Sequence, residues 1–60
     1  MVEGDLVKSI KFKSIGIVVD VFGDLDPDNP WIRVHFTYPS SSYQWFKLNG
    51  LELIKKKEDH

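Results

Sequence analysis

Trp31-Ile32-Arg33-Val34-His35-Phe36-Thr37 decides the fold class, because Ile32, Val34 and Phe36 fall on one side of an extended chain while Trp31, Arg33 and His35 fall on the other. That alternation is the two-residue period of a β-strand with one buried face. Tyr43-Gln44-Trp45-Phe46-Lys47-Leu48 repeats it, with Phe46 and Leu48 inward and Tyr43, Trp45 and Lys47 outward. Tyr38 to Ser42 lies between the two stretches as a turn, so they read as a hairpin with His35 across from Trp45 and Arg33 across from Lys47.

Further turn signals stand at Gly4, at Phe12 to Ser14, at Gly23 to Pro30 and at Asn49-Gly50. Five strands fit between them: Asp5 to Lys11, Ile15 to Phe22, Trp31 to Thr37, Tyr43 to Leu48 and Leu51 to Lys55. In the second, Ile15, Ile17, Val19 and Val21 share a face opposed by Val18 and Phe22, as in a bent strand that serves two sheets. Alanine is absent, and Val, Ile, Thr and the aromatics supply 20 of the 60 residues, which favours strands over helices. The expectation is one all-β domain over residues 1–60: a five-stranded antiparallel, partly open barrel with at most one short 3₁₀ turn and a frayed end over 57–60.

A 7.0 kDa chain buries only about 60% of its unfolded surface, so its stability is expected to be roughly 3 to 9 kcal/mol and a deep catalytic cleft has no room. The lack of cysteine excludes disulfides, thiolate-bound zinc and a cysteine nucleophile. No run reaches the ~18 apolar residues of a membrane span, and Met1-Val2-Glu3-Gly4-Asp5 has no signal-peptide character, so a cytoplasmic chain with no membrane partner is expected. His35 and His60 are the only histidines, and no phosphate-binding glycine loop or metal-ligand spacing occurs. Neither an enzyme nor a cofactor is expected. Asp24, Asp26 and Asp28 have the opening spacing of a calcium loop, yet Asn29 stands where that loop needs glycine and His35 where it needs a bidentate glutamate. A solvated acidic connector is the simpler reading, and whether it takes cations stays open.

The outward side chains Trp31, Arg33, His35, Tyr43, Trp45 and Lys47 mix rings and cations on one hairpin face. Such a face can stack bases and meet phosphates, or it can anchor a protein partner, since Trp, Tyr and Arg are the residues enriched at interfaces. It can equally be amphipathic cover for the core edge. Six of the eight basic residues, Lys8, Lys11, Lys13, Lys55, Lys56 and Lys57, lie near the chain ends and would form one basic patch if the first and last strands pair. Asp20, Asp24, Asp26 and Asp28 would make the other end acidic, although a pI near 6.0 is low for a dedicated nucleic-acid binder. The leading expectation is a non-enzymatic binding module with a protein partner. Nucleic acid and self-association as a structural subunit are the alternatives.

Gly4-Asp5-Leu6-Val7 followed by Gly16-Ile17-Val18-Val19-Asp20-Val21 resembles the opening of KOW-type and Tudor-like barrels, with Ser9 and Lys13 where two further KOW glycines would stand. Trp45 to Ile54 is similar to the last hairpin strand, one-turn 3₁₀ helix and closing strand of Src-homology-3 domains, and Trp31-Ile32-Arg33 resembles the start of their third strand. The resemblance implies a Src-homology-3-like barrel. It does not carry over the proline-rich peptide groove: no tyrosine motif precedes Ile10, Lys47 replaces the groove proline and Gly50 the groove tyrosine. Small barrels of this shape are also encoded by tailed phages, which would place the chain in a host cytoplasm.

Overall fold

The computed structural model describes residues 1–23, 25–38 and 40–57. Five antiparallel strands, β1 (Leu6–Ser9), β2 (Ile15–Phe22), β3 (Trp31–Phe36), β4 (Ser42–Lys47) and β5 (Leu51–Lys55), form one sheet in the order β4-β3-β2-β1-β5. A single 3₁₀ turn, Leu48–Gly50, links β4 to β5. Among the described residues no ladder joins β4 to β5, so the sheet is open, with a free edge on each side.

Two buried polar residues bracket β1. Asp5, 3% exposed, accepts the Val2 N–H at Oδ2 (2.9 Å) and the Lys57 N–H at Oδ1 (2.8 Å), joining the two ends of the chain. Its carbonyl accepts the Val18 N–H at 3.0 Å. At the far end Ser9 takes the Lys13 N–H on its carbonyl (2.7 Å) and the Phe12 N–H on its hydroxyl (3.2 Å), while its own N–H donates to Ser14. These bonds turn the chain at once, which is why β1 stops at Ser9 instead of running to Lys11. Lys13 completes the turn with φ 59, in the left-handed region. Of the end expected to fray, the Lys57 N–H donates to Asp5, and residues 58–60 lie outside the described residues.

Val7, Val18, Ile32, Val34, Phe36 and Leu51 make the core, with Met1, Phe46 and Leu48 packed against it. The inward facing of Ile32, Val34 and Phe36 is as the alternation indicates. β2 departs from expectation: Val18 is the buried valine, and Ile15, Ile17 and Val21 are exposed. The strand serves one sheet, and its irregular pattern comes from a bulge. The register passes from Val18↔Val34 to Asp20↔Arg33, leaving Val19 as an extra residue that reverses the facing of everything after it. The β3–β4 register is also corrected, to Arg33↔Trp45, His35↔Tyr43 and Trp31↔Lys47. The shift of two arises because Ser42, expected in the turn, enters β4 opposite Phe36, where β3 ends one residue before Thr37. A slip of two leaves every side chain on its expected face.

Gly16 is buried against β3. A Cβ there would lie 2.6 Å from Val34 Cγ1 and 2.7 Å from the His35 carbonyl. Gly16→Ala is therefore expected to cost about 1 to 3 kcal/mol by overpacking, seen as a lower urea midpoint with an unchanged slope. An unchanged midpoint would show that β2 and β3 do not meet this closely.

Asp5 gives an acid prediction. The Lys57 N–H foremost, then the Val2 N–H, hold its carboxyl below the ordinary 3.8 against the opposing effect of burial, with smaller help from the N-terminus and Lys56. A carboxyl lowered in the fold contributes stability that is complete above its unfolded value and lost as pH falls through the lower folded value. Asp5→Asn should cost about 1 to 2 kcal/mol at neutral pH and flatten the decline of stability below 3.8. Parallel acid declines in the two proteins would exclude Asp5 as their source.

Candidate binding face

Because paired residues of neighbouring strands share a face, the ladder fixes the outer surface of the sheet in rows. Lys47, Trp31 and Phe22 form one row; Trp45, Arg33 and Asp20 the next; Tyr43, His35, Ile17 and Leu6 the third. All six expected face residues, Trp31, Arg33, His35, Tyr43, Trp45 and Lys47, are thus brought together on the hairpin. The sequence reading missed that Phe22 and Ile17 extend this surface onto β2. Phe22 reaches it only through the bulge at Val19, which no local pattern announces.

Within the rows the cations lie against rings. The His35 ring stacks on Tyr43 with centroids 4.5 Å apart and planes inclined by 15°, and Arg33 Cζ stands 4.7 Å from the Tyr43 centroid. Lys47 Nζ stands 4.9 Å from the Trp31 centroid and donates to the Asn29 carbonyl at 3.2 Å. The Asn29 side chain accepts the Asn49 N–H (3.1 Å), and the Pro30 carbonyl accepts the Leu48 N–H (3.0 Å), so the foot of the β2–β3 loop is fastened to the 3₁₀ turn. His35 Nε2 hydrogen-bonds Ser41 Oγ at 2.9 Å, which ties the stacked pair to the hairpin loop. Trp45, 48% exposed, is the hairpin ring left over: no cation or second ring meets it among the described residues. Arg33 leans to Tyr43 and makes no ion pair with Asp20 across β2.

The six lysines do not form one patch. Although β1 and β5 pair, they are antiparallel, with Leu6 opposite Lys55 and Ser9 opposite Leu51. Lys55, Lys56 and Lys57 therefore sit at the Leu6 end, whereas Lys11 and Lys13 sit beyond Ser9 at the other. Lys8 lies between them, opposite Glu52. Asp26 and Asp28 are exposed in the β2–β3 loop; Asp24 and His60 lie outside the described residues. No group of three metal-ligating side chains converges among the described residues, and no described helix is long and apolar enough to cross a membrane. No family model, curated protein or solved structure matches this chain.

The geometry ranks the side chains of the face by what they do for the fold. Tyr43→Ala removes a ring stack and a cation–π contact and is expected to cost about 1 to 2 kcal/mol in urea unfolding. Trp45→Ser removes neither and should stay within about 0.5 kcal/mol. The reverse order would make Trp45 a structural residue and Tyr43 a free one.

Proposed function

We propose that the chain is a non-enzymatic binding module that engages a protein partner through the outer face of the β3–β4 hairpin. One observation carries this reading: cations are already placed over Trp31 and Tyr43, while the neighbouring Trp45 ring stands unpartnered in their midst. Side chains ordered before binding lose less freedom on association, and a central tryptophan rimmed by Arg and Tyr is the composition of an interface hot spot. The split of the lysines between the two ends of β1 counts against a phosphate-tracking surface, as does the net charge of −1. The fold reading that accompanies this function is a Src-homology-3-like sheet, supported by β1 pairing with both β2 and β5 and by the 3₁₀ turn before β5.

The experiment joins capture to salt titration. A photo-crosslinking amino acid at position 45 should trap a discrete protein partner in cells, and Trp45→Ser should abolish capture by affinity resin without changing the melting midpoint. Single-stranded DNA and RNA should not bind at low salt. Oligonucleotide binding whose log affinity falls by roughly 0.7 per phosphate contacted would replace the protein partner with nucleic acid.

A further inference from the structure

Of two surfaces at opposite ends of β2, neither part of the hairpin face, one is a hollow flanked by cations and the other an exposed leucine flanked by carboxylates. At the end where β2 begins, residues of the β1–β2 turn and of the β3–β4 hairpin line a hollow of about 230 Å³, Phe12, Phe36 and Tyr38 supplying rings and Ser42 and Gln44 polar groups. A second hollow, of about 380 Å³, continues from it past Ser14 and Tyr38 to Lys13 and Ile15. Among the described residues no carboxylate lines either one. Two cations stand beside these hollows: Lys11, with Nζ 5.4 Å from the Phe12 centroid, and Lys13, which lines the second.

Where β2 ends, the β2–β3 loop displays the opposite combination. Leu25 is 86% exposed, the most exposed of the large apolar side chains described, and Asp26 and Asp28 stand exposed beside it. Asp26 to Pro30 is not a loose connector: the Asn29 N–H closes a turn onto the Asp26 carbonyl (3.1 Å), Pro27 and Pro30 restrict it, and Asn29 is fastened to Lys47 and Asn49. An exposed leucine is thus presented just ahead of two carboxylates on a fastened turn.

We propose that the two surfaces are halves of one contact between copies of this chain. Leu25 of one copy enters the hollow among Phe12, Phe36 and Tyr38 of the next, and Asp26 and Asp28 meet Lys11 and Lys13 beside it. Eight strand residues at about 3.3 Å each put the two halves roughly 26 Å apart on β2, so no chain fills its own hollow. The contact is head-to-tail: every bound copy keeps one half free, and assembly continues as an open string unless a ring closes. Exposed opposite charges also make it salt-sensitive.

Sedimentation of the wild-type chain from about 10 µM to about 1 mM at low salt tests this. The expected result is a weight-average mass that rises past the dimer and falls on adding salt. Leu25→Ser, and separately Lys11→Glu/Lys13→Glu, should each weaken association at least about tenfold with unchanged melting midpoints. Mixed together, these two crippled variants should form a one-to-one pair that grows no further, because each still owns one intact half. Asp26→Lys/Asp28→Lys combined with Lys11→Glu/Lys13→Glu in one chain should restore association. Trp45→Ser should leave it intact, which separates its failure from that of the hairpin-face reading. A wild-type chain monomeric at the highest concentration, an assembly that stops at two, or association indifferent to Leu25 would overturn the proposal. So would a monomer whose hollow takes an isolated Leu25-Asp26-Pro27-Asp28 peptide, since the occupant would then be a foreign acidic segment.

Discussion

The carboxylate of Asp5 is the point on which the sheet turns. It sits almost wholly out of water, and it is tolerated there because both oxygens receive backbone N–H groups that would otherwise lack partners, one from each end of the chain. Through it β1 is fixed between β2 and β5, although β1 is only four residues long. Ser9 does the same at the other end of the strand, and with Val7 these two polar residues complete the inward row of β1. A short strand with a single apolar inward side chain is thus secured by hydrogen bonds where a longer one would rely on burial.

The inward side of the hairpin fills the core and the outward side carries rings and cations, so core and face constrain one another. Phe46 meets Phe36 edge-on at 5.9 Å and Phe12 at 6.4 Å, and this holds β4 against the body although among the described residues no strand pairs with its far edge. With β4 fixed, Tyr43 and Trp45 are presented on a firm base, and Lys47 reaches both a ring and the Asn29 carbonyl.

Much of this was legible in the sequence because strand periodicity is local. β2 and β5 fall on their expected bounds, and β3 and β4 on theirs to within one residue, because apolar alternation and turn residues lie next to each other in the chain. What could not be read depended on partners far along it. The bulge at Val19 exists because β2 must match β3, and Val18 is as apolar as Val19, so composition cannot tell which one turns inward. The roles of Asp5 and Gly16 likewise depend on Lys57 and Val34, which only the folded chain brings near. The lysines scattered for a related reason: the ends of the chain do meet, but an antiparallel meeting sends their flanks in opposite directions.

The β3–β4 loop has a property that follows from the two-residue period and bears on descent. Gaining or losing two residues in it slides β4 along β3 by one pair and turns no side chain over, whereas a change of one would exchange core and surface along the whole strand. Loop length in this hairpin is therefore inherited as even or odd before it is inherited as long or short. Through even steps alone, a lineage could redistribute which ring faces which cation, His35 with Tyr43 in one member and with Trp45 in another, without a single substitution in either strand.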